Sequence, residues 1–527
     1  MVTAASKGKG VTDESTTTVD SRLQQTFILL SLTFASALPT LNVTIGNAVL
    51  PQIRGDLSAG LEEISWVLTA NLVATAIAMP TAGWFGMRFG QRRTLIGSVI
   101  GFTIASSMLG FVDSLEGVVF WRAVQGLFGG PIPPICMPIL LRSFARSEHG
   151  WVMAVWSGGV MLAPILAPPL GGYLTELYNW RFAFLFMVPV GIVTYFLVFA
   201  AINESKRNLD LRLDWFGFLA LSVSVAATQL LLDRGNRVDW FESPEIIVFA
   251  VVAGAGFYVF LVHCLTTRQP FVDLRIFLDR NYAVAFACWC VSGIMTFAPL
   301  MLLPTLLGRL RDVPVETIGI MLMPRGVGFV IGAVIVARLI RVMDSRVLLA
   351  FGLASQVPAF WYMSTFDLGV GLPEVFVAGS ILGLGEAFTW TAVATIGFST
   401  LTPSLQGYGA AIFQFGRFFL SSVGISLMVT VLARSTQVNH ASLSQGISPF
   451  NESLRVTNQS GLWDIEVLQG LARLENELTR QATMIGYLND FWLLTLLAAA
   501  VVPLVLLLKR PRRERTAAAE DTSSSRA

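Results

Sequence analysis

Glu386 is an acid set in an apolar run, Gly383-Leu-Gly385-Glu386-Ala-Phe-Thr-Trp390. A carboxyl held away from water resists ionisation, so such a group can take a proton from one side of a barrier and lose it to the other. Two other chemistries fit the same residue: a fixed ion pair with Arg325 or Arg417, or direct contact with a cationic ligand. Asp233, at the edge of another apolar run, is a weaker candidate for proton exchange because it is expected to meet water. Arg122, in Phe120-Trp-Arg122-Ala-Val-Gln125-Gly126, puts a guanidinium in a third run. It either changes partners between states of the protein or acts as a static hydrogen-bond clamp, and Arg417 with Gln414 invites the same two readings. Asn42, Asn47, Asn71 and Gln125 add amides, while Trp66, Phe388, Trp390 and Phe413 add stacking faces. These groups could line a ligand cavity, although aromatic stripes also serve packing. His149, His263 and His440 lie far apart, and Cys136, Cys264, Cys288 and Cys290 sit in apolar stretches as small hydrophobes. No metal, no cofactor and no enzymatic site is expected.

The elements that must hold these residues are membrane spans. Of 527 residues, 54% are hydrophobic and 13% charged, against about 25% charged in a soluble protein. Mean hydropathy is +0.66. The net charge of +2, spread along the chain, gives no sign of nucleic-acid binding. Read for runs of about 20 apolar residues, the chain offers about fourteen. Alternate loops are basic: Arg88, Arg92 and Arg93; Arg142 and Arg146; Lys206, Arg207 and Arg212; Arg338, Arg341 and Arg346. Basic loops stay in the cytoplasm, which puts both termini there, in a multi-pass protein of the plasma or inner membrane. The expected organisation is a disordered head (1–22), a six-helix bundle (23–202), a linker with two extra helices (203–280) and a second six-helix bundle (281–510). That bundle carries a long external loop (434–487), and a cytoplasmic tail (511–527) follows it. Leucines spaced along 463–485 predict a short amphipathic helix or a packed lid in that loop.

Several motifs have a family likeness. Gly83-Trp-Phe-Gly-Met-Arg88-Phe-Gly90-Gln-Arg92-Arg93 resembles the signature loop of the major facilitator superfamily, with Met87 where an acid is usual. A faint echo, Ala337-Arg-Leu-Ile-Arg341-Val-Met-Asp344-Ser-Arg346, recurs in the second half, as an internal repeat predicts. Arg122-Ala-Val-Gln125-Gly126 is similar to the family's Arg-x-x-Gln-Gly. Pro164 and then Ala167-Pro168-Pro169-Leu170-Gly171-Gly172 resembles the antiporter signature, with Ala167 in place of its first glycine. Further stretches, including Leu41-Asn42-Val-Thr44, Asn179-Trp180-Arg181, Met323-Pro324-Arg325-Gly326 and Asn439-His440-Ala441, are similar to the fourteen-span drug:proton antiporters of the EmrB/QacA type. The last of them is most like the EmrB branch.

The resemblance implies an all-α major-facilitator fold, two six-helix bundles joined by two linker helices. It also implies proton-driven export of amphipathic or cationic compounds by alternating access. A periplasmic adaptor and an outer-membrane channel are the implied partners in a double-membrane cell, beside small-molecule substrates, protons and the bilayer. The family's usual first-span aspartate is Asn42 here, and an amide cannot exchange a proton near neutral pH. A dedicated exporter of one metabolite or siderophore, or a sensor that has lost transport, are the other readings of these departures.

Overall fold

The structure, a computed structural model, describes residues 22–509 except 146–147, 205–206, 236–237, 239, 269, 403–404 and 448–467. The expected disordered head (apart from Arg22) and tail therefore lie outside the described residues. Within them the chain is helical, with no strand. The first half comprises α1 (Arg22–Asp56), α2 (Leu61–Ala78), α3 (Thr81–Phe89), α4 (Gln91–Leu109), α5 (Leu115–Gly129), α6 (Ile132–Ser143), α7 (His149–Leu177), α8 (Trp180–Leu185) and α9 (Met187–Ala201). Two helices follow, α10 (Trp215–Gly235) and α11 (Pro244–Thr266). The second half holds α12 (Arg280–Leu310), α13 (Val315–Leu339), α14 (Ser345–Met363), α15 (Leu372–Ser399), α16 (Gln406–Ser444) and α17 (Leu468–Val501).

Among these, 11 helices are long and apolar enough to cross a membrane, and the pair α2–α3, bent by 54°, makes a twelfth. The bend falls at Pro80 and the α5–α6 break at Pro131, where proline cannot donate to the helical ladder. The 19-residue helices α4 and α14 hold corresponding places: α4 packs on α5 and α9, α14 on α15 and α17. Counting them is consistent with fourteen spans. The repeat extends to single bonds. Arg92, at the start of α4, donates to the Phe199 carbonyl near the end of α9 (2.7 Å), and Arg346, at the start of α14, donates to the Leu508 carbonyl after α17 (2.6 Å). Each arginine thus closes its bundle on a helix C-terminus, where positive charge is favoured.

The halves meet along α7 and α13. Gly150 faces Ile340, Gly158 faces Phe329 and Ala333, and Gly319 faces Pro169, so small residues bring the two helices close at both ends and the middle. A second seam joins α3 to the start of α16, where a side chain at Gly83 would touch the Gly407 carbonyl. The linker helix α10 packs on both α2 and α16. Ser422 donates to Gln229 (2.7 Å), and Ser426 donates to the Leu232 carbonyl (2.9 Å). At one end of the first bundle, Arg181 pairs with Asp56 and Asp113, each at 2.8 Å, and Trp180 donates to Asp56 at 2.9 Å. The bonds from Trp180 and then Arg181 hold the Asp56 carboxyl below the ordinary aspartate value.

One expectation needs correction. Residues 434–444 and 468–487 are not loop but helical extensions of α16 and α17. The predicted amphipathic segment 463–485 is, from Leu468 on, the first part of α17, and 463–467 lie outside the described residues. Leu468 and Leu471 are exposed, and the extended helices pack against each other.

Candidate functional site

The first bundle is knitted by one buried guanidinium. Arg122 on α5 donates to Asn42 on α1 (3.1 Å), to Gln125 (3.0 Å) and to the Val67 carbonyl on α2 (3.2 Å). Gln125 passes the chain on to Ser106 of α4 (2.7 Å), and Asn71 donates to the Arg122 carbonyl (2.9 Å). Gly46 leaves room for this: a side chain there would strike the guanidinium. The cluster contains no acid, so the charge of Arg122 is met by amides, a carbonyl and the face of the Phe184 ring (5.5 Å).

The second bundle repeats the scheme with an acid. Glu386 on α15 accepts two bonds from Arg325 on α13, one through Nε at 3.2 Å and a second through Nη2. Arg325 also donates to the Thr296 carbonyl on α12 (2.7 Å). Both side chains of the pair are buried. Of the chemistries open to Glu386, this geometry matches the ion pair with Arg325. Arg417 on α16 stands apart. Its guanidinium lies 4.0 Å from the Trp390 ring, 4.8 Å from Trp289 and 5.1 Å from Phe297, and its Nε and Nη2 atoms have no hydrogen-bond partner.

Between the two clusters lies a cavity of about 120 Å³. Asn42, Asn71 and Gln125 line it from the first bundle; Trp390, Gln414 and Arg417 line it from the second. These six were expected from the sequence. Trp156, Trp289, Phe297 and Phe418 were not, yet they supply most of its aromatic wall. Four expected lining residues are elsewhere. Asn47 is exposed, as is Trp66, and neither is among the lining residues. Phe388 packs on Phe351 (4.9 Å), and Phe413 is fully buried behind Trp289, stacked at 5.2 Å. Asp233 is half-buried near the end of α10 and does not reach the cavity. A buried acid that the sequence reading passed over is Asp490 on α17, fully buried with neither oxygen bonded among the described residues.

Residues 32–425 match the family model of the Major Facilitator Superfamily. The chain belongs to that superfamily. It is 30% identical over 474 residues to the multidrug export protein EmrB of Escherichia coli K12, covering 89% of this chain and 92% of that protein. EmrB of Haemophilus influenzae is 30% identical, covering 88% and 92%. The fatty acid resistance protein FarB of Neisseria gonorrhoeae is 27% identical over 87% and 91%. Among solved structures, the human organic anion transporter MFSD10 superposes with a TM-score of 0.57 at 15% identity, over 90% of this chain and 99% of that one; this likeness concerns the fold. The chain is a major-facilitator drug efflux protein of the EmrB branch and a multi-pass membrane protein, a transporter rather than an enzyme.

The superfamily's signature loop is anchored in its own way here. Arg88 donates to the Leu211 carbonyl, and the Met87 carbonyl accepts from the Asn208 amide (3.0 Å), so the loop grips the segment leading into α10. Gly90, at φ 94°, makes the turn into α4 that a side chain would strain. Arg92 lies over the Phe199 ring (4.7 Å), and Arg93 pairs with Glu204 (3.2 Å). In the antiporter stretch, α7 runs unbroken through Pro164, Pro168, Gly171 and Gly172. Asn42→Asp, which restores the usual acid, is expected to pair with Arg122 at the same site. Exchanging a neutral acceptor for a charged one strengthens the bond by about 1 kcal/mol, so the purified variant should melt above wild type. A variant that melts lower would mean that Arg122 is already fully satisfied by its amides.

Proposed function

We propose that the protein is a secondary active exporter that moves amphipathic small molecules outward in exchange for protons, by alternating access across the plasma or inner membrane. Both termini are read as cytoplasmic, from the basic loops. The observation that carries the reading is the cavity between two pseudo-symmetric bundles, walled by tryptophans, amides and Arg417. At about 120 Å³ it holds about four waters at ~30 Å³ each. Ligand pockets run to ~300–1,000 Å³, so a drug-sized cargo needs the bundles to part further, as a rocking cycle would provide. On the resemblance to the EmrB branch, a periplasmic adaptor and an outer-membrane channel are read as further partners in a double-membrane cell.

The charge of the cavity bears on the cargo. No Asp or Glu is among its described lining residues, and Arg417 is the one charged residue of that lining. A cation would meet like charge there, whereas a carboxylate would gain a charge-assisted bond. The cargo is therefore read as an amphiphile with an acidic head rather than a cationic one, and the likeness to a fatty acid resistance protein supports this.

The test is export of a dansyl-labelled long-chain carboxylate and of a cationic dye from cells lacking other pumps, with and without a protonophore. The carboxylate should leave the cells in a protonophore-sensitive way. Arg417→Gln should weaken its apparent affinity by about ten- to a hundredfold, the equivalent of ~1.5–3 kcal/mol for a hydrogen bond to a charged group, and should not weaken export of the dye. Export of the dye but not of the carboxylate overturns the assignment of cargo charge.

A further inference from the structure

Among the described residues, Asp490 is the one buried acid of the second bundle that the ion pair does not account for. It lies four residues after Gly486, which packs on Leu432 and Thr436 of α16, and three after Tyr487, which faces Thr305 of α12. Residues three and four apart share a helix face, so Asp490 points into the junction of α12, α16 and α17. It is 10 residues from Arg480, which donates to the Leu310 carbonyl at the end of α12 (3.0 Å); at 1.5 Å per residue that is a depth of about 15 Å. A buried charge normally has a partner, and neither oxygen of this one does.

On the other flank of the same seam lie two separate groups of polar contacts. His440 bonds Glu475 (2.8 Å) at the exposed end; Asn439 donates to Ser435 (3.1 Å), and Asn489 donates to the same hydroxyl (2.6 Å). Asn489 is the residue before Asp490. The Asn489 contact is exposed, and no bond leads from these groups to the buried carboxyl. The charged and titratable groups toward this end of the packed elements include Arg309 of α12, which acts on Tyr487, Tyr362 of α14, and Arg434 and His440 of α16, with Tyr487 itself one turn from Asp490 on α17. None of them is hydrogen-bonded to Asp490.

We propose that Asp490 is the residue that binds and releases the coupling proton. On uptake a proton from water bonds to one carboxylate oxygen and leaves the buried group neutral; on release the O–H bond breaks and the proton passes to water on the other side. Asn42 cannot carry this proton, and Glu386 is occupied by Arg325. The proposal rests on the proton-driven reading above.

Two measurements on the full-length protein test it. In infrared difference spectra taken across a pH titration of purified protein, wild type should show a carbonyl stretch of a protonated carboxyl that disappears on titration and is missing in Asp490→Asn. An unchanged band in the variant overturns the proposal. In proteoliposomes with an imposed pH gradient, accumulation of the dansyl-labelled carboxylate should fall at least tenfold in Asp490→Asn and return in part in Asp490→Glu; wild-type accumulation in Asp490→Asn also overturns it. If wild type binds the probe but ignores the gradient, proton antiport fails, and the infrared comparison alone then decides whether Asp490 takes a proton. Should Asp490→Asn not fold, a shift of the titrating band in Asp490→Glu, whose longer side chain displaces the carboxyl, supports the proposal, and its persistence unshifted overturns it.

Discussion

Glu386→Ala should unfold at a markedly lower temperature than wild type, with a loss of about 3–5 kcal/mol, the usual effect of removing one partner from a buried ion pair. The reason is what stays behind. Arg325 is held among α12, α13 and α15, bonded to Glu386 and to the Thr296 carbonyl, and its Nη1 already lacks a partner. With the carboxylate gone, a guanidinium remains in a site that is only 3% exposed. Removing both charges should cost far less, because well-packed apolar residues replace a buried pair at little or no loss. Glu386→Leu combined with Arg325→Met is therefore expected to melt closer to wild type than Glu386→Ala does. Thermal unfolding of the three purified proteins, followed by tryptophan fluorescence, checks this. A Glu386→Gln variant that melts like wild type yet loses its response to a proton gradient would instead return Glu386 to the coupling role.

How far the site could be read in advance depended on whether a residue's meaning lay in its type or in its direction. Arg122, Gln125 and Asn42 were legible because a charged or amide side chain in an apolar run must find polar company, and the motif supplied it. Arg325 and Glu386 were legible as one of several pairings; only the packing of α13 on α15 selects between Arg325 and Arg417. Aromatic residues were different. Trp289 and Trp156 line the cavity while Trp66 and Phe413 do not, and nothing in an all-apolar helix fixes which face looks inward until its neighbours are in place. Asp490 was missed because it follows Asn489 at the edge of the last apolar run, where an acid reads as the end of a loop. The helical extensions of α16 and α17 hid it: they carry the chain well past the last apolar residues, so the apparent edge of the span is deep in the bundle.

Gly383→Val is expected to have the other large effect, because it pushes apart the two helices that carry the ion pair. Gly383 and Gly379 on α15, and Gly328 and Gly332 on α13, are spaced four residues apart, so each helix presents a flat strip of backbone to the other. A side chain at Gly383 would overlap the Arg325 carbonyl, and one at Gly328 the Ser380 carbonyl; at Gly332 it would stand 2.9 Å from the Leu384 carbonyl. These obstacles are backbone atoms, which cannot rotate away as a side-chain tip can. Even one added carbon in a packed core costs about 1–3 kcal/mol. Here the displaced carbonyl belongs to the residue that bonds Glu386, so widening the gap also stretches the ion pair, and the two losses compound. Gly383→Val should yield little folded protein, and Gly383→Ala a protein with a clearly lowered melting temperature. Gly172 is the contrast. Although it belongs to the antiporter stretch, nothing stands within 4 Å of where its side chain would project. Gly172→Ala should melt at or slightly above wild type, since alanine is favoured over glycine inside a helix by about 1 kcal/mol. If Gly172→Ala keeps its melting temperature and still slows export, that glycine is needed in a state where the bundles have moved, which separates its role from that of Gly383. Equal melting temperatures for Gly383→Ala and wild type would show that α13 and α15 can separate without loss, and the backbone-to-backbone account of the ion pair's position would fall with it.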